Sequence, residues 1–246
     1  MTNTAQTALI TGANKGLGLE AARRLGEQGW TVFLGSRDEA RGQTAADKLT
    51  AEGMTVIMVP LDVTSDESVT AAARLVGEHT DRLDVLINNA GAPGGAVPPA
   101  DATVADLHAV YDTNVYGPVR VTHAFLPLLQ AAENPRVVMV SSAAGSFAVI
   151  TDPDQPVSKM HELAYSSSKA ALNMITVRYA QALPHIKFNV ATPGEVANRK
   201  FAATDMNHHT GQLTVTEGTD SILRLATLDA DGPSGIFIDR LGPVAW

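Results

Sequence analysis

The chain contains no cysteine, which excludes a disulfide framework, a thiolate metal site and a cysteine nucleophile. It has no basic excess either. Its 18 Lys and Arg stand against 26 Asp and Glu, a formal net charge of −8 with a pI near 5.3. That balance offers no electrostatic footprint for nucleic acid or an anionic membrane. No apolar run approaches the ~20 residues of a membrane-spanning helix, and residues 1–7 are polar, without the apolar core of a secretory leader. No His-x-x-x-His pair occurs, and His208-His209 lie in a polar, irregular stretch, so no metal site is expected. What remains is the expectation of a soluble, cytoplasmic protein without nucleic-acid or membrane partners.

The 246 residues, 45% hydrophobic and 18% charged, suffice for the core of one large α/β domain. Thr7-Ala8-Leu9-Ile10-Thr11 reads as a strand running into the glycine turn Gly12-Ala13-Asn14-Lys15-Gly16-Leu17-Gly18, and a helix follows from Leu19. Strand, glycine turn and helix form the context of the dinucleotide-binding fingerprint, and Gly16-x-Gly18-x-x-Ala21 satisfies its G-x-G-x-x-G/A form. Glycine lets the backbone approach a pyrophosphate, to which the helix N-terminus offers unpaired N–H groups. The alternative is a purely structural β–α turn.

A second strand, Trp30-Thr31-Val32-Phe33-Leu34-Gly35, ends in Ser36-Arg37-Asp38. This is about 20 residues past the turn, where a carboxylate binds a free ribose 2′-hydroxyl and an arginine accepts a 2′-phosphate. Ser36 and Arg37, with Lys15 in the glycine turn, favour NADP(H) over NAD. Asp38 argues the other way unless it merely caps a helix over 39–51, which would leave Arg37 as a solvated loop charge.

The third strand, 54–59, is followed by Asp62-Val63, where Asp62 either contacts an adenine amino group or caps a turn. The fourth, 83–87, ends in Asn88-Asn89-Ala90-Gly91. A helical run over 104–129 contains Asn114 and Pro118; the proline removes the bond that the Asn114 carbonyl would accept, kinks the helix and frees that carbonyl for a water. Strand five, 137–140, leads into Ser141-Ser142, and strand six, 186–191, into Thr192-Pro193-Gly194. A helix over 214–228, capped by Thr216, and a strand over 235–239 complete the alternation. With no linker or long-period repeat, the expected fold is α/β: a single-domain Rossmann-type doubly wound parallel sheet over 1–246. A small insertion near 151–163 and a flexible substrate flap near 195–213 interrupt it.

Ligands of such folds gather at the carboxyl ends of the strands, where most of these motifs lie. That convergence gives meaning to Tyr165 and Lys169, which on a helix share one face. A phenol has a pKa of about 10, and a nearby cation lowers it. Such a pair can pass a proton to or from a carbonyl or alcohol oxygen.

Taken together, Thr11-Gly12-x-x-x-Gly16-x-Gly18, Asn88-Asn89-Ala90-Gly91, Asn114, Ser142, Tyr165-x-x-x-Lys169 and Pro193-Gly194 resemble the short-chain dehydrogenase/reductase family over nearly the full length. The run Gly35-Ser36-Arg37-Asp38-Glu39-Ala40-Arg41-Gly42-Gln43 looks like that family's NADPH-dependent carbonyl reductases. The resemblance implies hydride transfer between the nicotinamide of NADP(H) and the carbonyl carbon of a ketone, aldehyde or quinone. It implies that Tyr165 transfers the proton and that Ser142, rather than Ser141, bonds the substrate oxygen. Lys169 would bind the nicotinamide ribose and lower the Tyr165 pKa, and Asn114 would position a water linking Lys169 to solvent. Cofactor contacts are implied for Gly12, Asn14, Lys15, Gly16, Leu17, Gly18, Ser36, Arg37, Asp62, Val63, Asn89, Ala90, Gly91, Tyr165, Lys169, Pro193, Gly194 and Val196.

Two departures from the family pattern stand out. Tyr165 lies farther from Ser142 than in compact members, so a lobe is inserted near 153–162. In carbonyl reductases a longer insertion here hinders a helix-to-helix tetramer, and monomer or homo-oligomer stays open for this chain. The family's threonine four residues past the glycine is Asn198 here, and Thr204-Asp205 comes later. Pocket walls from 91–97, 143–150 and 195–213 are mostly small or apolar, pointing to a carbonyl substrate with an apolar body. The alternatives are an NAD-dependent alcohol dehydrogenase of the same fold and a non-catalytic NADP-binding sensor or scaffold.

Overall fold

Seven strands form one parallel sheet in the order β3-β2-β1-β4-β5-β6-β9. They are β1 (Thr7–Ile10), β2 (Thr31–Ser36), β3 (Thr55–Pro60), β4 (Val85–Asn88), β5 (Arg136–Val140), β6 (Lys187–Ala191) and β9 (Phe237–Ile238). A separate antiparallel hairpin joins β7 (Gly194–Glu195) to β8 (Lys200–Phe201). The helices are α1 (Gly16–Glu27), α2 (Glu39–Ala51), α3 (Asp66–His79), α4 (Val104–Tyr111), α5 (Gly117–Gln130), α6 (Phe147–Ile150), α7 (Leu163–Ala182), α8 (Val215–Gly218) and α9 (Asp220–Ala226). This computed structural model describes residues 5–95 and 97–246. Residues 1–4 and Ala96 of the anticipated pocket wall lie outside the described residues. Among the described residues no helix is long and apolar enough to cross a membrane.

Strands β1, β4 and β5 are buried at every position, as befits strands covered on both faces. Their period of two splits them between two cores. Ile10, Leu34 and Ile87 pack with Leu25 of α1, Leu49 of α2 and Ile222 of α9. Leu9, Phe33 and Leu86 pack on the other side with Val76 of α3, Phe125 of α5 and Leu172 of α7. The sheet order reverses between β1 and β4, and the crevice outside that switch point is where such a sheet holds ligands.

Three local expectations are corrected. The run over 104–129 is helical throughout, as expected, but it is not α-helical throughout. A π-helical turn, Asp112–Tyr116, separates α4 from α5, with the Gly117 N–H donating to the Asp112 carbonyl. Pro118 has no N–H for the usual ladder, and it lies in the first turn of α5, where that lack costs nothing. The helix over 214–228 is two short ones. Its cap is Thr214, in a reciprocal capping box with Glu217, while the Thr216 hydroxyl bonds Glu20 instead. The stretch 195–213 is not irregular: it folds as the β7–β8 hairpin, a 3-10 turn at Asp205–Asn207 and a bridge between Ala202 and Leu213.

Candidate active site

A cleft of about 1110 Å³ opens above the carboxyl ends of the central strands. At its floor the backbone turns after β1 through Gly12 (φ +62°) and Gly16 (φ +55°), a left-handed conformation suited to glycine. A Cβ on Gly18 would stand 2.5 Å from Asn89 Nδ2, so that glycine lets α1 and the β4 end come together. Asn89 Nδ2 donates to the Thr11 and Gly12 carbonyls at 2.8 and 3.1 Å, and the Asn89 and Ala90 N–H groups donate to Thr11 Oγ1. The N-cap of α1, Lys15, makes no side-chain cap bond, and the first turn holds no acid. Its N–H groups are left for an anion, so the cradle fits the pyrophosphate of a dinucleotide.

Farther along the cleft lie Arg37, Asp38 and Arg41. Asp38 caps α2, accepting from the Arg41 N–H at 3.0 Å, and pairs with Arg41 Nε at 3.2 Å. Arg37 is exposed, with no hydrogen bond or ion pair among the described residues. Ser36 is buried and does not reach the wall: its hydroxyl donates to the Asp38 carbonyl at 2.8 Å. Asp62 takes the turn-capping alternative, accepting from Thr64 N and Oγ1 at 2.9 and 2.7 Å, yet it still lines the cleft beside Val63.

Tyr165 and Lys169 sit near the N-terminus of α7, on the side that closes the cleft. Lys169 is 4% exposed, and its ammonium donates to the Val140 carbonyl at 3.0 Å. It lies 5.7 Å from the centre of the Tyr165 ring. Burial lowers its pKa to about 8. The phenol moves the other way. Burial pushes Tyr165 above the ordinary value, a hydrogen bond with Ser142 opposes this, and the charge of Glu162 adds to it. The expected lowering by Lys169 is thus not what this geometry yields, because desolvation dominates. Ser141 also lines the cleft, but its hydroxyl is committed, donating to the Lys169 carbonyl at 3.4 Å. Close packing holds the arrangement: a Cβ on Gly145 would lie 2.6 Å from the Lys169 carbonyl carbon.

Asn114 is fully buried behind this pair. Its Oδ1 accepts from the Ala92 N–H at 2.8 Å, and its Nδ2 donates to the Ala92 carbonyl and Ser168 Oγ at 3.0 Å each. Both side-chain N–H groups are therefore spent on fastening the loop after β4 to α7.

Two further segments wall the cleft. From the flap come Val196, Phe201, Thr204 and Met206. The flap is tied to the glycine turn by an ion pair between Lys15 Nζ and Asp205 at 2.5 Å, and His209 Nε2 meets the same carboxylate at 2.8 Å. Arg199, His208 and His209 all have positive φ here, an uncommon, costly conformation for side chains of this size. Asn198 bonds Glu195 at 2.8 Å and is not on the cleft wall. From the lobe before α7 come Gln155, Val157, Met160 and Glu162. Among the described residues no cluster of three His, Asp or Glu is placed to hold a metal ion.

The family model for short chain dehydrogenase matches residues 6–209. The chain belongs to the short-chain dehydrogenase family. It is 33% identical to the (+)-neomenthol dehydrogenase of Arabidopsis thaliana, covering 96% of this chain and 97% of that protein. To the (-)-isopiperitenone reductase of Mentha piperita it is also 33% identical, over 95% of this chain and 96% of that one. Among solved structures, the NADPH-bound carbonyl reductase from chicken fatty liver superposes with a TM-score of 0.85 at 31% identity, covering 98% of this chain and 99% of that one.

In this short-chain dehydrogenase the structure brings together nearly all the residues singled out from sequence: the glycine turn, Arg37, Asp62, Val63, Asn89–Gly91, Ser142, Tyr165, Lys169, Pro193, Gly194 and Val196 all line one cleft. Ser36 and the Asn114 side chain do not line it. Sequence reasoning missed Arg41, whose signal was its position four residues past Arg37 on α2. It also missed the four lobe residues, for which proximity to Tyr165 in the chain was the only cue. The alignment with the Arabidopsis enzyme extends over 293 residues against 246 here, so that relative carries segments absent from this chain.

Proposed function

We propose that this short-chain dehydrogenase reduces the carbonyl group of a ketone, aldehyde or quinone at the expense of NADPH. The observation that carries this reading is the half-buried Tyr165 phenol, which shares the cleft with Ser142, the Lys169 ammonium and the glycine cradle. The cradle at Gly12–Gly18 would take the pyrophosphate, Arg37 and Arg41 the 2′-phosphate, and Lys169 the nicotinamide ribose. When bound, the reduced nicotinamide supplies the hydride that the carbonyl carbon receives.

The remaining work falls to the chain's own side chains. Negative charge grows on the substrate oxygen during reduction, and Ser142 and Tyr165 are fixed donors placed to meet it. Tyr165 gives its proton to that oxygen. A phenol held above its ordinary pKa is protonated at neutral pH, which suits an acid in the reductive direction and disfavours alcohol oxidation there. The proton is replaced along Lys169 and a water on the Asn114 main-chain carbonyl, to which Pro118 has no N–H to give. Two features support NADPH over NADH: Arg37 has no hydrogen bond or ion pair among the described residues, and Asp38, the carboxylate next to it, is committed to capping α2.

The test is oxidation of NADPH and NADH by the purified protein against a panel of ketones, aldehydes and quinones. Turnover with NADPH on any of them supports the reading. Tight NADPH binding with no turnover would favour a sensor or scaffold, and preference for NADH would overturn the cofactor assignment.

A further inference from the structure

Five acidic side chains line the cleft, and four of them are occupied. Asp38 pairs with Arg41, Asp62 bonds Thr64, Glu195 is held by Asn198 and Arg240, and Asp205 by Lys15 and His209. The exception is Glu162. It stands at the N-cap of α7, yet its carboxyl makes no cap bond, and no hydrogen bond or ion pair holds it among the described residues. The cations of the cleft are engaged elsewhere on this side: Lys169 with Val140, Arg199 with Asp154 and Lys200 with Glu195.

Glu162 is half-buried, and this loss of water disfavours its charged form. A dehydrated carboxylate without a partner is costly, and in a cleft it marks a place where a ligand completes the bonding. Glu162 lies three positions before Tyr165, its charge acts on the phenol, and both line the one cleft, within reach of a single small molecule. The same cleft is walled in part by the apolar side chains Val157, Met160, Phe201 and Met206.

We infer that Glu162 is a specificity-determining residue that receives a cationic nitrogen of the substrate. The carbonyl compounds favoured at this site carry a cationic nitrogen on an otherwise apolar body. This assignment rests on the reductase reading above and names its substrate class. A carboxylate facing an ammonium inside a partly dry cleft discriminates strongly against a neutral group of the same shape.

The experiment uses two aryl ketones of equal shape, one ending in a trimethylammonium group and the other in a tert-butyl group. In the wild-type protein kcat/KM for the charged ketone exceeds that for the neutral one by about tenfold or more. Glu162→Gln brings the ratio to about one, and Glu162→Asp restores part of it. A wild-type ratio near one, or a ratio unchanged in Glu162→Gln, overturns the inference. Calorimetric binding of the charged ketone is measured alongside. Absence of turnover on both ketones counts against the reductase reading. Binding that Glu162→Gln abolishes still upholds the role of Glu162, and equal binding by both proteins overturns it.

Discussion

Lys169 donates its ammonium proton to the carbonyl of Val140, the last residue of β5, at 3.0 Å. The bond ties the Tyr165 face of α7 to the sheet and fixes the cation beside the phenol. It also places a charge where almost no water reaches, and that has a measurable cost.

A lysine lowered from 10.5 to about 8 by burial costs the folded state on the order of 3 kcal/mol while it is protonated. Below about pH 8 the group is charged in both the folded and unfolded chain, so this cost is constant. Between about 8 and 10.5 the unfolded chain alone holds the proton, and the contribution to stability rises with pH. Lys169→Met should therefore unfold at higher urea than wild type at pH 7, by about 1–3 kcal/mol, while losing activity. The gap should narrow as pH rises from 8 to 10. A variant less stable than wild type at pH 7 would contradict burial as the cause.

Tyr165→Phe keeps the ring in its packing and removes the proton donor. Fluorescence titration should show NADPH binding close to wild type, with reductase kcat lower by about 10²–10⁴. Near-full turnover in this variant would remove Tyr165 from the mechanism.

Arg37→Asp replaces the unengaged guanidinium at the 2′-phosphate position with a repelling charge. Its NADPH Kd should rise by about 10–100-fold, with NADH changed far less. Arg41→Ala should act in the same direction but also loosen Asp38. Equal losses for both cofactors would undo the proposed 2′-phosphate contact.

Asp205→Ala cuts the one ion pair that joins the flap to the glycine turn at Lys15. Both partners are half-exposed, so the melting temperature should stay close to wild type. Stopped-flow displacement should nevertheless show NADPH leaving several times faster, because the flap no longer closes over it. An unchanged dissociation rate would mean that the flap is held by its own hairpin alone.

The chain order of strands and helices, the glycine turn and the Tyr165–Lys169 face were legible in the sequence, since each depends on spacing within a turn or on alternation along one segment. Ser142 was distinguished from Ser141 only through the family pattern, and the structure explains it: Ser141 bonds the α7 backbone while Ser142 meets the phenol. Asp38 was ambiguous because a carboxylate can bind a ribose or cap a helix, and only the position of α2 decides between them. The flap looked irregular because its folding comes from contacts such as Lys15 with Asp205, whose residues lie 190 positions apart. The direction of the Tyr165 pKa was misread for the same reason: spacing shows that a cation is near, but not how little water remains. Local periodicity thus determined which groups this protein carries and at which strand ends they stand. Burial and long-range packing, which no local pattern encodes, decided which of them face the cleft, what engages them and in which protonation state they wait.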